Sequence, residues 1–199
     1  MADYADDAAG LMAALGWDDA LVVGVSFGGM VAQELALRHP ARVKRLVLAC
    51  TSPGGVGGAS FPFLEIDHLQ GEARARHMIP ISDTRRDAAW AAAHPDTHAE
   101  LVAMAAADPF AGESGRAMGA RRQLEARAGH DVWDRLPNLA VPTLIAAGLH
   151  DGIALPQTQF NLALRIPGST LRFFKGGHMF MIQDRTAVAA MIAFLQGRS

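Results

Sequence analysis

The strongest restriction on this chain is a pair of short apolar, β-branched runs, Leu21-Val22-Val23-Gly24-Val25 and Val43 to Ala49, with a helical stretch between them. Runs that are apolar on both faces form strands covered on both sides. Gly28 to His39 reads as the helix, and Pro40 stops it. A strand, a helix of roughly 10 to 15 residues and another strand make a βαβ unit, which requires parallel pairing and a right-handed crossover. The fold class is α/β, with a mostly parallel sheet and flanking helices.

Further along, Thr143 to Ala147 and Thr170 to Phe174 carry strand signals, and Pro156 to Arg165 reads as the helix joining them. Tyr4, Ala8, Leu11, Met12 and Leu15 mark one face of an opening helix closed by Gly16, and Val188, Met191, Ile192 and Leu195 one face of a terminal helix. After Cys50 the pattern changes. Ser52 to Gly58 is rich in glycine and reads as a flexible hinge, and the Ala-, Arg- and His-rich stretch beyond it shows no strand-like run. The expected division is a core formed by residues 1–58 and 136–199, with residues 59–135 inserted as a helical cap.

Composition closes off several function classes. With 199 residues, 50% hydrophobic and 19% charged, the chain has material for one buried core and none of the marks of disorder. Eighteen Lys and Arg against 20 Asp and Glu, spread along the chain, leave no basic footprint for nucleic acid. Cys50 is the sole cysteine, which excludes an internal disulfide and a thiolate metal cluster. Met1 to Asp7 holds three acids and no base, unlike a signal peptide, and no apolar run approaches the roughly 18 residues of a membrane span. The expected location is the cytoplasm, with no membrane partner.

The chemistry concentrates where strands end. Gly24-Val25-Ser26-Phe27-Gly28 is a G-x-S-x-G pattern between a predicted strand and a predicted helix. A serine at the tip of so sharp a turn crowds the positions two before and two after it, so glycine is expected at both. Composition alone would yield about 0.07 such patterns, so the context strengthens a signal that is only suggestive by itself. Gly148-Leu149-His150-Asp151 directly follows the strand at Thr143, and Gly176-Gly177-His178 directly follows the strand at Thr170. Open α/β sheets gather their ligand sites at these carboxyl ends. Asp131, Asp134 and Asp184 are rival acids, but Asp151 alone follows a strand closely.

Other features read as structural. His94 and His98 have i, i+4 spacing, yet His94 precedes Pro95, which disfavours helical geometry there, and no H-E-x-x-H pattern accompanies them. No metal site is expected. Gly54 to Gly58 lacks the lysine and hydroxyl of a phosphate-binding loop. Cys50 reads as a small apolar core residue, and Arg121 and Arg122 as a solvated helix face in preference to a carboxylate site.

The order Ser26, Asp151, His178, each after its own strand, resembles the α/β-hydrolase superfamily, most closely small bacterial esterases, lactonases and cofactor-free haloperoxidases. The resemblance implies Ser26 as nucleophile, His178 as general base, Asp151 as its orienting acid, and the Phe27 backbone N–H as one donor of the oxyanion hole. It implies a small, largely apolar ester or lactone as substrate, with Met30, Phe61, Phe63 and Met179 lining the pocket beneath the cap, and no cofactor. The same constellation also serves carbon–carbon hydrolysis and perhydrolysis.

Such proteins carry about four strands and an oxyanion loop, often with His-Gly, ahead of the helix that opens this chain. Here twenty residues precede the strand at Leu21. Met1 is therefore expected to be an internal methionine of a longer protein. The strand at Leu21 is then left with a bare edge able to pair with another chain, and a catalytically impaired fragment acting as an assembly partner is the rival reading.

Overall fold

The computed structural model describes residues 1–198. Four strands, β1 (Ala20–Val25), β2 (Val43–Ala49), β3 (Thr143–Gly148) and β4 (Thr170–Phe174), form one sheet in the order β1-β2-β3-β4, all parallel. Helix α1 (Ala2–Ala14) precedes β1, α2 (Phe27–Arg38) joins β1 to β2, and α7 (Pro156–Arg165) joins β3 to β4. Helices α8 (Phe180–Gln183) and α9 (Arg185–Leu195) follow β4. The strands and α7 occupy the residues that the hydrophobic runs predict, and α2 stops ahead of Pro40, as a ring without an N–H requires.

Register assigns the two faces. Gly24, Leu48, Ile145 and Leu171 form one row across the sheet, and Val23, Val47, Leu144 and Thr170 form a row on the opposite face. The first face packs Leu48 and Ile145 against Ala32, Leu35 and Ala36 of α2, Ala5 and Ala9 of α1, and Leu162 of α7. On the second, Val47, Leu144, Ala146 and Phe174 meet Phe180 of α8 and Ala187 and Met191 of α9. Each fully buried Leu or Ile here stabilises the fold by about 1.5–3 kcal/mol.

The terminal helices depart from the expected faces. In α1 the buried positions are Ala5, Ala9 and Met12, whereas Leu11 and Leu15 point outward at 61% and 53% exposure. Small alanines let α1 lie close on α2, and close approach decides the face over residue size. In α9 the core takes Ala187 and Met191, and Val188 and Ile192 stay half exposed. The second face is also unevenly covered: Leu21, Val23 and Val25 of β1 remain 49%, 46% and 37% exposed.

Between β2 and β3 the chain forms α3 (Gly71–Ser82), α4 (Ala88–Ala93), α5 (Pro95–Ala106) and α6 (Arg116–Ala128), and adds no strand to the sheet. Ala75, Ile79 and Val102 form a small core of their own there. His94 is the non-helical joint between α4 and α5, as its place before Pro95 predicts, and it stacks on Trp90. The expected flexible hinge is instead closely packed. Gly54 bridges to Asp131, and a Cβ at Gly54 would lie 1.8 Å from the His130 carbonyl oxygen, so the glycine serves close approach between the departing and returning chain.

Candidate active site

Ser26 occupies the single residue between β1 and α2, with φ 52° and ψ −114°. This strained backbone, costing roughly 1–3 kcal/mol, persists because the surroundings over-determine it. The Ser26 N–H donates to the Ala49 carbonyl at 2.8 Å, and the Ser26 carbonyl accepts from the Thr51 hydroxyl at 2.8 Å and the Gly29 N–H at 2.9 Å. The expectation of two crowded glycines holds at one position only. A Cβ at Gly24 would lie 2.6 Å from the Gly28 carbonyl oxygen, and one at Gly29 would lie 2.5 Å from Thr51, whereas one at Gly28 meets nothing within 4 Å. Crowding falls where strand, helix and β2 converge, and the outer side of the turn stays open.

The loops after β3 and β4 bring the other two candidates to this turn. His178 Nε2 lies 2.8 Å from Ser26 Oγ, and Nδ1 lies 2.8 Å from Asp151 Oδ2. Asp151 is 1% exposed, and its other oxygen accepts the N–H groups of Ile153 at 2.8 Å and Ala154 at 2.9 Å. A carboxylate only accepts, so Nδ1 carries the imidazole proton and Nε2 presents its lone pair to the serine hydroxyl. The rival acids are used elsewhere: Asp131 accepts from the Trp133 N–H, Asp184 caps α9, and the Asp134 side chain is 96% exposed beside Arg165.

Phe27 opens α2, and among the described residues no backbone carbonyl accepts its N–H. The donor stands free at a helix N-terminus, beside the serine oxygen, where developing negative charge is favoured. The Tyr4 ring meets the Phe27 ring edge-on at 5.3 Å, fixing that residue from the α1 side.

Cys50 also approaches this group, with its sulfur within 4.8 Å of ligand atoms on Asp151 and His178. Burial, then the Asp151 charge, pushes its thiol up to about 12, so it stays protonated, and both ring nitrogens of His178 are already engaged. The donor set suits proton transfer and not metal binding.

What steadies the two loops is not legible in any local sequence pattern. The end of α3 holds both: the His178 N–H donates to the Ser82 carbonyl at 2.6 Å, and the Gly152 N–H to the Ile81 carbonyl at 3.0 Å. Asp83, 2% exposed, accepts from Gln183 at 3.1 Å, and Gln183 accepts the Gly177 N–H at 2.7 Å. Burial pushes the Asp83 carboxyl up, but bonds from Arg85 outweigh it and leave it below its ordinary value. The sequence carries no signal for this because the contacts between α3 and the two loops join groups roughly 70 to 100 residues apart along the chain.

A cavity of about 280 Å³ is lined among others by Ser52, Ser60, Phe61, Phe63, Arg127 and His130; Ser26, Asp151 and His178 are not part of its wall, and it adjoins the Asp151 loop through Phe61. Phe61 and Phe63 meet edge to face at 5.2 Å, and the Phe61 N–H donates to the Ile153 carbonyl in the Asp151 loop. Of the four expected lining residues, these two reach the cavity. Met30 is 1% exposed, packed within the fold, and Met179 is 48% exposed; neither lines it.

The architecture agrees with comparisons to known proteins. A poly(3-hydroxyalkanoate) depolymerase from Ectopseudomonas oleovorans is 34% identical over 186 residues, covering 88% of this chain and 60% of the relative. A 2-hydroxymuconate semialdehyde hydrolase from Pseudomonas sp. strain CF600 is 34% identical over 199 residues, covering 95% and 66%. The chain therefore spans just under two thirds of these relatives. Among solved structures, a meta-cleavage product hydrolase from Pseudomonas fluorescens IP01 is 25% identical, with a TM-score of 0.71 over 97% of this chain and 71% of that one. The family model for the alpha/beta hydrolase fold matches residues 1–184, and the chain belongs to that family of hydrolases.

Proposed function

We propose that this chain carries the serine centre of a cytoplasmic hydrolase that cleaves an ester or lactone of a small, largely apolar substrate through an acyl-enzyme. The observation that carries the reading is the unbroken chain from Ser26 Oγ to His178 to Asp151, at 2.8 Å for each link. His178 Nε2 takes the Oγ proton as the oxygen attacks the acyl carbon, and Asp151 stabilises the imidazolium. The tetrahedral oxyanion accepts the Phe27 N–H. Collapse expels the alkoxide, which leaves with the proton from His178, and water then repeats the sequence to release the acid.

Helices α3 to α6, within residues 59–135, act as a cap over this centre, and Phe61 and Phe63 supply its apolar wall. The depolymerase relative favours the ester reading, since a poly(3-hydroxyalkanoate) is a polyester. The second reading, hydrolysis of a meta-cleavage product, is favoured by the solved structure bearing that name.

A fluorophosphonate probe tests the proposal. The chain is expected to gain one adduct mass, lost in Ser26→Ala, and hydrolysis of 4-nitrophenyl butyrate is expected to fall at least about 10³-fold in that variant. Absence of labelling on a folded chain overturns it in favour of an inactive assembly partner. A substrate panel of esters, lactones and meta-cleavage products separates the two enzymatic readings.

A further inference from the structure

The cavity adjoining the Asp151 loop contains a cation without a counter-ion. Arg127, half-buried near the end of α6, directs its Nε and one Nη to a single neutral acceptor, the Ser60 hydroxyl, and its guanidinium lies 4.4 Å from the centre of the Phe63 ring. No ion pair among the described residues includes it. This sets it apart from Arg121 on the same helix, which is exposed and paired with both Glu125 and Asp67. Burial pushes the Arg127 guanidinium down to about 10, and the Asp151 charge most strongly opposes that shift, which places Arg127 in the electrostatic reach of the catalytic centre.

The rest of the cavity wall brings no charge that neutralises Arg127. His130 is 5% exposed and lines the cavity, but its ring nitrogens and the Ser52 hydroxyl are buried away from the cavity surface, and the ring sits against the Ser52 backbone. The ring is neutral, since burial pushes it down to about 4. Glu65, the acid of the lining, is exposed at the rim and forms no ion pair with Arg127.

We propose that Arg127, held by Ser60 against the Phe63 ring, forms an anion subsite that binds a carboxylate carried by the substrate's acyl arm. The inference rests on the serine-hydrolase reading and narrows its substrate class to half-esters or lactones of dicarboxylic acids. A planar guanidinium held against an aromatic face suits a carboxylate, and the cavity, just under the roughly 300 Å³ of the smallest common ligand sites, takes a short chain. Phe61 and Phe63 would pack along the methylenes.

Two nearly isosteric substrates test this: mono-4-nitrophenyl glutarate and 4-nitrophenyl valerate, which differ in a terminal carboxylate against a methyl group. The wild-type chain is expected to favour the glutarate by kcat/KM. Arg127→Gln is expected to lower the glutarate-to-valerate ratio roughly 10- to 100-fold, acting mainly through KM, and Arg127→Lys to restore part of it. An equal loss on both esters, or none, overturns the subsite while leaving the hydrolase reading intact. Calorimetry of monomethyl glutarate with Ser26→Ala provides a readout without turnover. Binding that disappears in Ser26→Ala/Arg127→Gln supports the subsite even where no ester is cleaved, and no binding to Ser26→Ala overturns it.

Discussion

The two edges of the sheet are written in different residues. On one shared face, β4 presents Thr170 and Arg172 at its outer positions, while β1 presents Leu21, Val23 and Val25. A polar, charged edge discourages pairing with another chain, whereas an apolar one invites it. Strand β1 thus has the composition of an interior strand at an edge position, and its inner row is filled while its outer row is half exposed. Ser26 stands at the end of this less covered strand, and its partners at the ends of β3 and β4. The site is assembled from strands of unequal security.

Central and edge strands should therefore respond differently to the same truncation. Ile145→Ala in β3 removes a side chain with no exposed area and is expected to cost about 2–5 kcal/mol in urea unfolding, against at most about 1 kcal/mol for Val23→Ala. Equal costs would break the contrast.

An intermediate effect is expected behind β2, where His130 sits against the segment leaving that strand. Its ring is pushed by burial from an ordinary 6.5 to about 4, so the unfolded chain binds a proton that the folded chain refuses between those values. Its contribution is complete above pH 6.5 and lost as the pH falls toward 4, roughly 3 kcal/mol in all. Stability of His130→Phe is expected to vary less than wild type between about pH 7.5 and about pH 5, by roughly 2 kcal/mol. Parallel curves would mean that the ring is charged in the fold.

The smallest expected change in stability carries the sharpest test of the edge. Val23→Lys is expected to shift unfolding by about 0.5 kcal/mol or less, and in light scattering the wild-type chain is expected to self-associate through this edge while the variant stays monomeric. A wild type that stays monomeric at high concentration would show that the apolar edge is not adhesive.

Much of this arrangement was legible in local patterns. Ser26, Asp151 and His178 each follow a run with strand signals, so their convergence follows from parallel pairing and needs no knowledge of contacts. The helix faces were less legible, because Leu11 and Leu15 fit the spacing yet lost to Ala5 and Ala9, whose small size permits closer packing. Arg127 was hidden among similar arginines. Nothing local distinguishes it from Arg121, and only the partners brought by folding, acids for one and a lone hydroxyl for the other, separate them. Asp83 and Gln183 were invisible for the same reason.

The seam at the end of α3 has a mechanical consequence. Because Ile81 and Ser82 lend their carbonyls to the loops of both Asp151 and His178, this helix is fastened to the working parts and resembles the fixed leaf of a door. Helix α5 shares a small core with α3, so the two would have to move together, and a displaced α3 would pull the loops of Asp151 and His178 out of register. Loss of activity on gentle heating should then report the detachment of one helix, well before the sheet itself gives way.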